Sequence, residues 1–213
     1  MHPDVPSSDF LCPPHGWAAP AQVRLRPPSP SHRGPLFRSM SLVSGLFGRA
    51  EVPDVLTVLN INPRLFWAWL FFASRLMPFG KLPADVREKI ILRTGWNCRS
   101  RYEWGQHVEI ALGAGVSDTE ILHVSQGPDA FSDPRERALM RACDEMLQDR
   151  LISDATWNTL RESYSEKLLI EIVLLIGHYE MIAGFLNSAG ISLEPAIEEA
   201  LQACYQRIAR SGR

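Results

Sequence analysis

Between Leu168 and Phe185 the chain is apolar on nearly every helical face, so any fold it adopts must enclose this segment or bury it against another subunit. A membrane offers the other refuge. The unbroken apolar runs here and at Leu65 to Met77 fall short of the roughly 20 residues that span a bilayer. They also carry Glu171 and Arg75, which lipid tolerates poorly. A buried helix at the centre of a soluble bundle, with no membrane partner, is the expectation.

Helical signals dominate the rest of the chain. From Pro53 onward apolar residues recur with helical spacing, punctuated by capping residues: Asn62-Pro63, Pro83, Ser100, Ser132-Asp133-Pro134, Ser153-Asp154, Ser165 and Pro195. Ser117-Asp118-Thr119-Glu120 has the form of a capping box. No run alternates polar and apolar residues as a half-buried strand would. These signals predict an all-α, compact bundle of about seven or eight helices. On one of them Phe66, Trp67, Trp69, Leu70, Phe71 and Phe72 cover more than one face, which predicts that a second copy covers part of it.

Nine of the 16 prolines precede Met40, among many Ser and Arg residues, so residues 1–39 are expected to be a disordered leader ahead of a helical domain at 40–213. A start of translation at Met40 is the other reading of that leader. A formal charge of −2 gives no concentrated basic surface for nucleic acid. The four cysteines, Cys12, Cys98, Cys143 and Cys204, form neither a Cys-x-x-Cys pair nor a regular framework, which fits a reducing, cytoplasmic setting. Phosphate loops, nucleophile elbows and His-Glu-x-x-His zinc motifs are absent from the sequence, which removes the commoner nucleotide, hydrolase and metalloprotease readings.

Chemistry concentrates around one helix. Ser100, Glu103 and His107, spaced by three and four residues, share a face that continues into Ile110, Ala111 and Ala114. If that face points inward, desolvation brings a carboxylic acid and an imidazole towards matched proton affinities; the same spacing also suits a solvent-facing pair. Glu88 lies one helix earlier, and Cys98, Tyr102 and Trp104 flank the row. His178, seven residues from Glu171 and next to Tyr179, sits on the long apolar helix and is a further candidate for the same pocket. His123 has no neighbour that would make it a metal ligand.

The stretch from Leu82-Pro83-Ala84-Asp85-Val86-Arg87-Glu88-Lys89 through Tyr102-Glu103-Trp104-Gly105-Gln106-His107 to Gly115-Val116-Ser117 resembles the carboxymuconolactone decarboxylase and alkylhydroperoxidase D superfamily. His178-Tyr179-Glu180 and Leu186-Asn187-Ser188-Ala189-Gly190 resemble its longer, decarboxylase-like members. In the peroxidase members a glutamate, a Cys-x-x-Cys and a histidine cooperate. Here Glu88 and His107 fall on the glutamate and histidine, while Ser100 and Glu103 replace the two cysteines, so a dithiol cycle has no thiols to run on.

The resemblance therefore implies a cofactor-free lyase or isomerase acting on a small anionic, unsaturated or carbonyl compound. In it His107 is the expected proton donor, Glu103 tunes it or acts as base, and Glu88 orients it. Arg93 or Arg101 is the candidate for binding the anion. A Cys98-dependent peroxidase and a non-catalytic helical oligomer are the alternatives. Trimers or hexamers are what the resemblance implies for assembly.

Overall fold

The computed structural model describes residues 9–29, 31, 33, 34, 37 and 52–211. Among them are nine α-helices, one 3₁₀ turn and no strand. In chain order these are α1 (Asp54–Leu59), α2 (Pro63–Leu76), α3 (Ala84–Asn97), α4 (Arg101–Gly113), α5 (Asp118–Gln126), α6 (Pro134–Asp149), α7 (Asp154–Ser163), α8 (Glu166–Ala189) and α9 (Pro195–Ser211). The 3₁₀ turn Pro128–Ala130 joins α5 to α6.

Most of the caps expected from sequence are formed, while Ser100 and Ser165 stand at N-cap positions without a side-chain cap hydrogen bond. Asn62, Asp133 and Ser153 each accept a backbone N–H at a helix start. Ser117 and Glu120 close a reciprocal capping box. At the far end of α8, Gly190 ends the helix with φ +72°, a left-handed conformation that a side chain disfavours. The helix missing from the periodic reading is α1, whose six residues are too short to display a face.

The most enclosed helix is α3 rather than α8. Every residue from Val86 to Trp96 is buried, although this stretch carries Arg87, Glu88, Lys89 and Arg93. Each charge has a partner. Lys89 is clasped by Asp85, Glu120 and Glu136, and Arg93 pairs with Asp144 at 2.6 Å while donating to the Val124 carbonyl. Such pairing offsets the desolvation that would otherwise exclude these groups from an interior. By contrast α8 buries one side and leaves Ile170, Leu174 and Met181 exposed on the other. Its 24 residues, longer than the apolar run alone, make it long and apolar enough to cross a membrane by length and composition. In the fold its inner face completes the core with Leu169, Ile172, Leu175 and Ile176.

The expectation of a disordered leader is corrected for residues 9–29. Asp9 accepts hydrogen bonds from Arg101 Nε at 2.7 Å, Trp17 Nε1 at 2.9 Å and Gln202 Nε2 at 3.2 Å. Leu11 enters the main core, and the Trp17 ring meets Trp96 edge-on at 5.5 Å. The Ala18 N–H donates to the Arg99 carbonyl, and the Arg24 and Leu25 amides donate to that of Ala189. A proline-rich strap cannot build a core, but it can borrow one already formed by helices. The remainder of the expected leader lies almost wholly outside the described residues.

Candidate functional site

A cavity of about 350 Å³ lies between the α1–α2 hairpin and a face formed by α4 and α8. On α4 the lining positions are Tyr102, Glu103, Gln106, His107 and Ile110, one helical stripe. His178, Tyr179, Ile182 and Leu186 continue it from α8. The opposite wall is α2, through Trp69, Ala73 and Met77 at four-residue intervals, with Val55 and Leu56 of α1 beside them.

The row read from sequence therefore points inward, as one of its two readings required, but it does not reach the cavity whole. Ser100 is the N-cap of α4, fully buried and away from the lining, and its hydroxyl has no partner in the protein. Trp104 faces the opposite side of α4, donating to Tyr205 Oη at 3.0 Å and packing on Trp17 and Trp96. Cys98 caps α3 outside the cavity wall, and burial, followed by the charges of Glu103 and Glu180, pushes its thiol up to about 12. A helix turn separates inward positions from those packed behind them, which residue type alone does not reveal.

Glu88 stands behind His107 from α3. Its Oε2 lies 2.7 Å from His107 Nδ1, and its Oε1 accepts from Arg87 Nε at 3.0 Å. Burial alone would raise its proton affinity, but His107 and Arg87 outweigh that and hold the carboxyl below its ordinary range. Ionised Glu88 thus fixes the Nδ1–H tautomer by accepting that proton, leaving Nε2 for the cavity that the ring lines. Tyr179 stands perpendicular to the His107 ring at 5.0 Å and holds it from the side.

Glu103 is in the opposite state. Both oxygens are buried without a hydrogen-bond partner in the protein, and burial by itself raises its proton affinity well above the ordinary carboxyl value. Its surroundings thus favour the protonated acid over the carboxylate. Gly95 on α3 lies beside it, where an added Cβ would reach van der Waals contact, 3.4 Å from Glu103 Cγ. Two carboxyls near one cavity are therefore driven apart, one ionised behind a histidine and one carrying a proton.

His178 is held neutral, its imidazole lowered to about 4 by burial, and its Nδ1 has no partner in the protein. Its ring stacks on Trp69 with 14° between the planes and centroids 5.9 Å apart. Its expected companion Glu171 is elsewhere, accepting from the amides of Lys81 and Leu82 at 2.8 and 3.0 Å. Trp69, Gln106 and Met77 were not among the sequence candidates; the Trp69-Ala73-Met77 stripe was the available signal, hidden among neighbouring aromatics.

Glu194, outside the lining, ties α4 to α1 by accepting from Tyr102 Oη at 2.7 Å, the Asp54 amide at 2.7 Å and Gln106 Nε2. Tyr102 Oη in turn accepts from the Val55 amide. The two arginines expected to bind an anion do not line this space. Arg93 is held by Asp144, and Arg101 is gripped by Asp9 and Glu198. His123 packs edge-on against Phe131. Among the described residues no group of three or more His, Cys, Asp or Glu could hold a metal ion.

Comparison with known proteins agrees with this architecture. The model of the carboxymuconolactone decarboxylase family matches residues 63–145, which include α2, α3 and α4 with Glu88, Glu103 and His107. No curated protein matches the chain. An alkylhydroperoxidase AhpD core protein, described as an uncharacterised peroxidase-related protein from Ralstonia eutropha JMP134, superposes with a TM-score of 0.73 at 19% identity, covering 82% of this chain and 93% of its own. A peroxidase-related protein from Silicibacter sp. TM1040 gives 0.71 at 13% identity, covering 82% and 93%. The debrominase Bmp8 gives 0.67 at 19% identity, covering 84% and 97%. At these identities the likeness is one of fold. The carboxymuconolactone decarboxylase family model thus falls on the site-bearing helices, and the chain shares the fold of AhpD-like proteins.

Proposed function

We propose that the chain is an acid/base enzyme that moves protons on a small unsaturated or carbonyl compound with its own side chains, in the manner of the decarboxylase-like branch. The observation carrying this reading is the pairing, in one cavity wall, of protonated Glu103 with a histidine whose Nδ1 is fixed by ionised Glu88. The geometry favours roles opposite to those expected from sequence: Glu103 is the acid and His107 the base.

In an isomerisation, His107 Nε2 takes a proton from carbon next to a carbonyl, and the C–H electron pair enters the conjugated system. Glu103 delivers its proton to the far carbon, and the His107 imidazolium then returns a proton to the Glu103 carboxylate directly or through solvent. In a decarboxylation the breaking C–C bond supplies that electron pair and Glu103 protonates the carbon, with solvent restoring the acid. Glu88 stabilises the imidazolium through Nδ1–H, as a positioning residue. Well-placed acid or base groups contribute about 10²–10⁴-fold each.

A Cys98 peroxidase gains nothing from this geometry, since a nucleophilic thiol needs an accessible thiolate. Self-association belongs to the same proposal: exposed Leu65, Phe71 and Phe72 of α2 and Ile170, Leu174 and Met181 of α8 form apolar surface suited to a second copy.

The test is carbon dioxide release from γ-carboxymuconolactone, together with deuterium uptake from D₂O into a panel of small unsaturated lactones and enones, followed by NMR. Turnover by wild type that falls at least about 100-fold in both Glu103→Gln and His107→Ala supports the reading. Turnover that survives both changes refutes it.

A further inference from the structure

Resting on the acid/base reading of this cavity, we propose that its substrate is a neutral, flat, conjugated ring carrying a hydrogen-bonding group, bound against Trp69 and His178, and not a carboxylate. Three observations converge on this class.

The first is charge. No Lys or Arg lines the cavity among the described residues. Three arginines on α3 and α4 are engaged by carboxylates, Arg87 by Glu88, Arg93 by Asp144 and Arg101 by Asp9 and Glu198, while Arg75, next to the lining residue Ser74, is exposed and lies over the Phe71 ring. Ionised Glu88 stands behind His107, and Glu194 holds the lining residues Tyr102 and Gln106. A carboxylate entering this space would lose its hydration without gaining a cation, at a cost far above that of a neutral ring. A decarboxylation is thereby the less favoured of the two reactions, and proton transfer within a neutral molecule the more favoured.

The second is shape. Trp69 and His178 form a near-parallel aromatic pair, with Phe72 inclined beside His178 at 5.6 Å and Tyr179 perpendicular to it at 5.2 Å. Most of the remaining wall is aliphatic, supplied by Leu70, Met77, Ile110 and Ile182. A planar apolar molecule gains dispersion contact against such surfaces, and about 350 Å³ holds one of one or two fused rings.

The third is the set of unmatched polar groups. Trp69 Nε1, His178 Nδ1 and both oxygens of Glu103 are buried without a partner in the protein, and all three residues line the cavity. Native proteins rarely leave such groups unpaired, and three at one cavity point to a ligand that meets them. Indole N–H can only donate and protonated Glu103 can donate, so the ligand presents an acceptor such as a carbonyl oxygen. His178 accommodates either role through its tautomer.

The experiment uses coumarin, a neutral planar unsaturated lactone, against coumarin-3-carboxylate, which adds a charge to the same frame. Affinities are measured by calorimetry for wild type, Trp69→Phe and Glu103→Gln, while the Trp69 indole N–H resonance is followed by NMR. Coumarin is expected to bind at least about tenfold more tightly than its carboxylate and to shift that resonance. Trp69→Phe, which keeps an aromatic wall but removes the donor, is expected to weaken coumarin by about three- to tenfold.

Equal or tighter binding of the carboxylate overturns the proposal, as does coumarin binding that leaves the Trp69 signal unmoved or no saturable coumarin binding. Turnover that survives Glu103→Gln, with selective coumarin binding intact, would refute the acid/base reading while leaving the ligand class standing. Glu103-dependent turnover with the carboxylate preferred would do the reverse.

Discussion

Replacing Glu103 by Gln changes one proton and almost nothing in volume, and it should alter how stability responds to pH. In the folded chain Glu103 is raised well above the ordinary value of 4.5 by burial; in the unfolded chain it returns to that value. Above pH 4.5 the native state therefore holds one more proton than the unfolded state, and stability falls as pH rises, until the folded-state group itself ionises. One proton is worth about 1.4 kcal/mol per pH unit. Glutamine has no proton to lose, so the stability of Glu103→Gln relative to wild type should climb between pH 5 and pH 7, at up to about 1.4 kcal/mol per pH unit while the folded-state carboxyl keeps its proton.

Taking the difference between the two proteins removes the contributions of other titrating groups, His178 included. Urea unfolding at pH 5, 6 and 7, with a common slope against denaturant, supplies the numbers. A difference that stays flat across this range would mean that Glu103 is ionised in the fold, and its place as the proton donor would be lost.

Other outcomes follow from neighbouring residues. His178, lowered to about 4, leaves the native state short of a proton that the unfolded state binds below pH 6.5, so stability is lost as pH falls from 6.5 towards 4. His178→Phe should remove that acid sensitivity, worth about 3 kcal/mol at most, in urea unfolding at pH 4.5 and 7, and an unchanged sensitivity would contradict it. Cys98→Ser should leave turnover within about twofold, and iodoacetamide should label Cys98 slowly at neutral pH by mass spectrometry; fast labelling would restore the peroxidase reading. Asp9→Ala strips partners from Arg101, Trp17 and Gln202 and should destabilise by about 2–4 kcal/mol in denaturant unfolding, whereas no loss would show that the strap contributes nothing.

The helix boundaries were legible because capping is local: Ser117 meets Glu120 three residues away, and Asp133 meets the Arg135 amide. The rank of α3 was hidden because its enclosure depends on partners distant in sequence, Glu120 and Glu136 for Lys89 and Asp144 for Arg93. The strap was misread for the same reason, since Asp9 finds Arg101 92 residues later and Gln202 193 residues later. Within the site, one stripe of α4 could be read from spacing, and it supplied Glu103 and His107. The opposing wall could not, because residue spacing along α2 does not tell which of its many aromatics faces another helix. Nor could the protonation of Glu103, which depends on the absence of any partner around it.

The cavity is built from two halves with different histories open to them. The groups proposed to move protons come from α3 and α4, where Glu88 and His107 are locked into the core of the bundle. Much of the contour that a ligand meets comes from the α1–α2 hairpin, through Val55, Leu56, Trp69, Ala73 and Met77. Substitutions on that hairpin can reshape what enters without disturbing the proton carriers, while changes on α3 or α4 endanger both the chemistry and the fold. Selection for a new substrate would therefore be expected to accumulate in the hairpin, leaving the bundle behind it almost untouched.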